Sequence, residues 1–423
     1  MSQTTSGTQS HARLEPGDAP MPPVSLYVHL PFCVARCPYC DFVVYAGAQA
    51  RGAKARPERL YEAIDRELEL RADALDGRFA QRPPLRSLYF GGGTPSLIPG
   101  EWLVRLMATV RRRFGLALGA EVTLEVNPGP DERGDLGAFA AAGVNRVSVG
   151  AQSLDVGELR RLGRRHSPED VAAAVADARA AGIGSVSLDL LYDLPGQTVA
   201  AWEATLRAAL ALGPDHLSLY ALTLDDPEAE GLTGEAGDHL PATPGARRWR
   251  EAARLEQDGD RAADQYALAD TLLAATGWHG YEISNWARPG HESRHNLTYW
   301  ERRPYEAVGP GAHAFDGAVR RWNAAHLARY VDALLPSAGF AALPPGDREP
   351  ISTRTAAAER TILALRLDRG VPASRAEEPA ASGPFEWART SGLLEAVDLD
   401  GETRLRLTLR GRLLSNELFE RLL

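Results

Sequence analysis

Between residues 24 and 222 the chain alternates between two hydrophobic rhythms. Short apolar runs recur at SLYVHL (25–30), SLYF (87–90), VTLEV (122–126), RVSVG (146–150), SVSLDLL (185–191) and HLSLYAL (216–222). Runs of this length and β-branched content read as buried strands. The intervening segments keep apolar residues on a helical spacing: Leu60, Ile64 and Leu68 share one face, and so do Trp202, Leu206 and Leu210. Six strand–helix repeats in succession predict an α/β fold built on a parallel sheet. In a barrel-like sheet the C-terminal strand ends carry the active face. An open doubly wound sheet is the alternative, but its glycine fingerprint GxGxxG is missing after the first strand.

The remainder is less regular. Residues 1–23 are rich in Ser, Thr, Gly and Pro and read as a disordered lead-in. The barrel unit spans 24–225. A polar excursion, TLDDPEAEGLTGEAGDHLPATPG (223–245), crosses into an extension over 226–345, which continues with a helix over roughly 247–277. An aromatic- and His-rich passage follows. The stretch ALLPSAGFAALPPGDREPIS (333–352) reads as a linker. The last unit, 346–423, reads as two helices and then an alternating RLRLTL strand, predicting a small winged-helix-like α+β domain.

Composition narrows the function classes. With 423 residues, 44 % hydrophobic, the chain suits two or three domains. A net charge of −9 argues against a general nucleic-acid binder. No apolar run is long enough to span a bilayer, and the N-terminus has no secretory h-region, so the cytoplasm is expected. All three cysteines, Cys33, Cys37 and Cys40, fall within PFCVARCPYCDF (31–42). In a reducing compartment such a cluster suggests metal rather than disulfides. Zinc wants a fourth protein ligand, for which His29 is a candidate, whereas a cubane held by three cysteines leaves one iron open for another ligand. Free thiols are the third reading.

The spacing C-x3-C-x2-C followed by an aromatic, after a first strand, resembles the radical S-adenosylmethionine (SAM) superfamily. The resemblance implies a 4Fe-4S cluster whose open iron is chelated by SAM, and one-electron cleavage of the sulfonium bond to give a 5′-deoxyadenosyl radical. Further motifs extend it. YFGGGTPS (89–96) resembles the family's GGTP turn, with Gly92, Gly93 and Thr94; its consecutive amides would take a carboxylate or ribose. Glu125 in LEVNP, Gln152 in GAQS, Arg164 in LGRRH and Asp189 in SLDLLYDLPGQT fall on or after strands three, four and five. They resemble the SAM-holding residues of the coproporphyrinogen-oxidase-like branch, with Phe42 and Tyr27 beside the cluster.

Within that branch the oxygen-independent coproporphyrinogen III dehydrogenase carries a fourth cysteine where this chain has Phe42. It also has a longer N-terminal region than the 23 residues found here. CDF and the HNLTYW segment (295–300) instead resemble the HemW group, which implies a haem chaperone rather than a dehydrogenase. The same resemblance implies haem as cargo, His295 as an axial ligand with Tyr299 and Trp300 stacking on the macrocycle, and an apo-cytochrome or other haem protein as acceptor. His291, His313 and His279 are alternative ligands. A homodimer and peripheral contact at the cytoplasmic membrane face fit the group. Asp193 departs from the pattern, standing where glycine is expected; a turn needing positive φ would tolerate it.

Overall fold

The computed structural model describes residues 19–47, 56–225 and 227–423. The expected disordered lead-in lies outside the described residues up to position 18. Its last five residues, 19–23, are tied down: the Met21 amide donates to the Asp316 carbonyl (2.7 Å) and the following Val24 amide to Pro304 (3.0 Å).

The chain is mixed α/β, with one large, mainly parallel sheet and one small antiparallel sheet. The six anticipated strands form: β1 Ser25–Leu30, β2 Leu85–Gly92, β3 Leu116–Val126, β4 Arg146–Gln152, β5 Ser185–Tyr192 and β6 His216–Ala221. They are parallel neighbours in chain order. The helices between them pack on the sheet as their spacing requires. Leu60, Ile64 and Leu68 on Pro57–Arg78 are fully buried, as are Trp202 and Leu206 on Val199–Ala211. Helix starts are set locally: Ser167 and Asp170 form a reciprocal capping box at Pro168–Ala180, and Thr198 caps Val199–Ala211.

The sheet then extends beyond the repeats. β7 (His279–Glu282) and β8 (Asn285–Ala287) add antiparallel strands beside β6. β9 (Tyr305–Val308) returns to pair in parallel with β1, followed by antiparallel β10 (His313–Phe315), β11 (Val319–Asn323) and β12 (Gly346–Pro350). Two expectations need correcting here. The single helix over 247–277 is two, Pro244–Arg254 and Gly259–Ala275, because Asp258 caps the second by accepting from the Asp260 and Arg261 amides. The stretch read as a linker contains the end of helix Leu327–Leu334 and the whole edge strand β12.

A buried polar cluster locks the return of the chain. Glu67 is fully buried; it accepts from Arg71 (3.0 Å), Asn323 (2.9 Å), Tyr330 (2.6 Å) and the Gly309 amide (2.9 Å). Four donors satisfy a carboxylate that would be costly to bury alone. They pin the Gly309–Gly311 turn after β9, where a Cβ on Gly309 would strike the His29 backbone at 2.5 Å.

The C-terminal segment has its own core, with Leu365, Phe385, Leu394, Leu405 and Leu418. Helices Thr353–Arg366, Ser382–Thr390 and Ser415–Leu422 surround a sheet ordered β13–β15–β14, where β13 is Val371–Pro372, β14 Leu394–Leu399 and β15 Glu402–Leu407. It is joined to the aromatic passage by ion pairs Arg302–Glu359 (2.9 Å) and Arg369–Glu301 (2.7 Å), and by Arg366 stacked over Trp300 (4.2 Å).

Candidate functional site

The cysteines lie on a loop that leaves β1 and is closed like a stirrup. The Cys33 amide donates to the Tyr45 carbonyl (3.1 Å) and the Tyr45 amide to Pro31 (2.7 Å). Arg250, on helix Pro244–Arg254, fastens the far side by donating to the carbonyls of Pro38 and Cys40 (both 3.0 Å). The sequence gives no hint that an arginine some 210 residues away holds this loop. The Thr94 hydroxyl donates to the Cys33 sulfur (3.1 Å), and Arg164 reaches the Cys37 sulfur at 3.7 Å. Arg164 also donates to Asn127 and to the Gly150 carbonyl (both 2.8 Å), while its buried Nε has no partner.

Burial pushes the Cys33 and Cys40 thiols up to about 12. Without a cation these groups stay protonated; a bound metal would draw the protons off. Among the described residues no three His, Cys, Asp or Glu side chains close on a single metal-ion position; the thiols share a wide cavity wall. His29 does not serve as a fourth ligand: its Nε2 is engaged by the Val43 carbonyl (2.9 Å) and its Nδ1 by the Tyr27 hydroxyl (3.1 Å).

That cavity, ≈ 430 Å³, brings together residues scattered over nearly 160 positions of sequence. Cys33, Cys37, Cys40, Phe42, Gly92, Gly93, Thr94, Glu125, Gln152, Arg164 and Asp189 all line it. The parallel order β1–β5 places the strand ends side by side, which is why strand-end residues converge. Gln152 reaches the wall through a register break between Val149 and Gln152 that leaves it at φ 64°. Glu125 accepts from the Gly92 amide and the Tyr89 hydroxyl, both at 2.9 Å. Burial, opposed by those two donors and reinforced by Asp189, raises its carboxyl to about 7. Asp189 is also raised by burial, although Ser148 donates to both its oxygens (2.9 and 3.0 Å).

Two expectations change in the folded chain. The glycine amides are already spent: Gly92 on Glu125, Gly93 on the Leu30 carbonyl (2.9 Å), with Thr94 on Phe32 (2.8 Å). The glycines serve close approach instead. A Cβ on Gly91 would meet the Tyr27 ring at 2.8 Å, on Gly92 the His29 ring at 2.6 Å, and on Gly93 the Phe32 carbonyl at 2.7 Å. Tyr27 does not line the cysteine cavity; its sheet partner Tyr89 does, with the two rings stacked at 6.0 Å. Tyr89, Asn127, Ser148 and Arg250 are site residues the sequence reading missed. Tyr89 and Asn127 stand inside motifs it used, YFGGGTPS and LEVNP.

A second cavity of ≈ 470 Å³ lies on the other side of Tyr27, lined by Tyr27, Phe42, Tyr299, Trp300, Tyr305 and Phe315 among others. Phe42 borders both cavities and is 62 % exposed. Of HNLTYW, Tyr299 and Trp300 face this space. His295, expected as an iron ligand, is buried, with Nδ1 bonded to Ser87 (2.9 Å) and Nε2 to Tyr299 (2.8 Å). An imidazole with both nitrogens committed offers iron no lone pair until one bond is broken. The alternatives separate as well: His313 lines the cavity, while His291 bonds Ser185 (3.1 Å) and His279 pairs with Asp368 (2.7 Å) away from it.

Asp193, the departure from the expected glycine, sits at φ 55°. Its amide donates to Gln265 (3.0 Å) and its carboxylate pairs with Arg261 (2.5 Å). The turn does need a left-handed residue.

Comparison with known proteins identifies the family. Residues 27–209 match the family model of the Radical SAM superfamily. The heme chaperone HemW of Mycobacterium tuberculosis is 40 % identical over 96 % of this chain and 97 % of its own length. HemW of Bacillus subtilis is 32 % identical over 93 % and 98 %. Among solved structures, coproporphyrinogen III oxidase (HemN) from Escherichia coli superposes with a TM-score of 0.75 at 22 % identity, covering 96 % of this chain and 91 % of that one. By full-length identity to these relatives and by the fold, the chain belongs to the HemW family of the radical SAM superfamily.

Proposed function

We propose that this protein is a haem chaperone: it binds haem beside a SAM-ligated 4Fe-4S cluster and passes the haem to an acceptor haemoprotein such as an apo-cytochrome. The observation that carries the reading is the pairing of two cavities at one border residue. One holds three partly buried thiols, raised carboxyls and a desolvated arginine; the other is walled by aromatic rings. Its close relatives bear the name heme chaperone HemW.

In this reading Cys33, Cys37 and Cys40 are the cluster ligands. When bound, the cluster and SAM supply one-electron reduction of a sulfonium. Phe42, Gly92, Gly93, Thr94, Glu125, Gln152, Arg164 and Asp189 hold SAM. Thr94 and Arg164 donate to cysteine sulfur, which lowers the charge density on thiolates. Glu125 and Asp189 are acceptors for the amine and hydroxyls of SAM. Tyr27 joins the haem side. Tyr299 and Trp300 form apolar walls that suit a flat macrocycle, and His295 sets the Tyr299 hydroxyl through its Nε2.

The same proposal takes the six parallel repeats as a partial (β/α)6 barrel over 24–225, residues 226–345 as its extension and 346–423 as a winged-helix-like domain with a separate core. It places the protein in the cytoplasm, peripheral at the membrane face, as a monomer or homodimer. No helix among the described residues is long and apolar enough to cross a membrane.

The test is an anaerobic haem titration of cluster-reconstituted protein followed in the Soret region, with transfer to an apo-cytochrome. Saturable one-to-one binding and transfer are expected. Absence of saturable binding, or SAM-dependent turnover of coproporphyrinogen III, overturns the reading.

A further inference from the structure

The aromatic-walled cavity is not uniformly apolar. One part of its wall is Asp238, a buried carboxylate shared between two imidazoles: Oδ1 faces Nδ1 of His239 at 3.0 Å and Oδ2 faces Nε2 of His313 at 2.6 Å. All three residues line the cavity. Elsewhere on its wall are Arg302 and Arg320, which share Glu359. The Arg302 side chain is 8 % exposed, sits over Phe315 at 4.7 Å, and keeps its Nη2 buried without a partner; the Trp300 indole Nε1 is also unpartnered. Buried donors without acceptors mark a place where a ligand's acceptors would be stabilised.

The two histidines are not equivalent. His313 spends Nε2 on Asp238 and stacks on Trp322 (5.8 Å, 21° between planes), leaving only Nδ1, the nitrogen crowded by its own Cβ. His239 spends Nδ1 and leaves Nε2, the open end of the ring, with no partner among the described residues; its side chain is 28 % exposed. A carboxylate on one ring nitrogen fixes the tautomer and makes the other a better metal donor. His239 lies in GDHLP, inside the stretch that reads from sequence as a mere polar excursion.

We propose that Nε2 of His239, not His295, is the axial ligand to haem iron, with Asp238 as the carboxylate that orients it and Arg302 and Arg320 as the cations that receive the propionates. This rests on the haem-chaperone reading and adds its binding site. His313 anchors Asp238 from the opposite oxygen. The site stands beside the cysteine cavity across Phe42, so cargo and cluster occupy neighbouring spaces.

The experiment is an anaerobic haem titration of the full chain: wild type, His239→Ala, His239→Ala with added imidazole, and Asp238→Asn. Soret absorbance gives affinity, and resonance Raman spectra of the ferrous complexes report the iron–histidine stretch. His239→Ala is expected to weaken binding at least tenfold and lose that stretch, and imidazole to restore it. Asp238→Asn is expected to retain the stretch at lower frequency. Wild-type affinity and an unchanged stretch in His239→Ala overturn the ligand assignment while leaving the chaperone reading standing. No saturable haem binding by the wild type overturns both.

Discussion

His295→Ala separates a structural role from a ligand role in the chain without haem. The ring is buried against Tyr89 (5.0 Å between centroids) and edge-on to Tyr299 (5.1 Å). It ends a hydroxyl relay in which Ser87 bonds Ser25 and Ser25 bonds Thr298, each at 2.8 Å. Removing it leaves the Tyr299 hydroxyl and the Ser87 hydroxyl each one partner short and opens a void. At about 1–3 kcal/mol per stranded buried polar group, plus a cavity contribution, the loss is about 3–6 kcal/mol at pH 7.5. Burial lowers the imidazole to about 3, against an ordinary value near 6.5. Its contribution is therefore complete above pH 6.5 and is lost as pH falls toward 3. At pH 5, about 1.5 pH units below the unfolded value, the ring contributes about 2 kcal/mol less than at pH 7.5, from 1.36 kcal/mol per unit. Urea unfolding of both chains at the two pH values, followed by circular dichroism and tryptophan fluorescence, checks it. A gap below 1 kcal/mol at pH 7.5, or one that does not narrow at pH 5, refutes the structural role.

Three more outcomes are expected. Cys37→Ser drops bound iron and acid-labile sulfide from about four each per chain toward zero after anaerobic reconstitution; retention of a full complement would show that the loop is not the cluster site. Glu125, raised to about 7, accepts best when ionised, so SAM affinity by calorimetry falls as pH drops below about 7, by at most about tenfold per unit, and Glu125→Gln binds more weakly with a flat profile. In the chain without SAM the sign reverses: a raised carboxyl contributes stability that is full below about 4.5 and lost as pH rises through about 7. Asp193→Gly relieves the positive φ but gives up the Arg261 pair, so its thermal midpoint stays close to wild type. Asp193→Val, strained at φ 55°, costs about 2 kcal/mol or more in the same melt.

Much of the molecule was written in local pattern. The six apolar runs and the i, i+4 faces of Leu60–Leu68 and Trp202–Leu210 specify strands and helices because burial periodicity is a property of neighbouring residues. The cysteine spacing and the strand-end residues Glu125 and Asp189 were readable for the same reason: parallel order carries strand ends to one side. Distance defeats such reading. β9 enters the sheet beside β1, and the Gly309 amide that follows it is satisfied by Glu67, some 240 residues earlier. Arg250 clasps the cysteine loop and Tyr89 replaces Tyr27 at its cavity through pairings that no periodicity encodes. His295 stood out in its motif, yet burial consumed both its nitrogens; Asp238 and His239 stood side by side in a polar stretch, yet only folding brought His313 onto Asp238 and set the open nitrogen of His239 at a cavity wall. Sequence supplied the donors, and only the tertiary structure decided which were already satisfied, because hydrogen-bond partners are chosen by proximity in space.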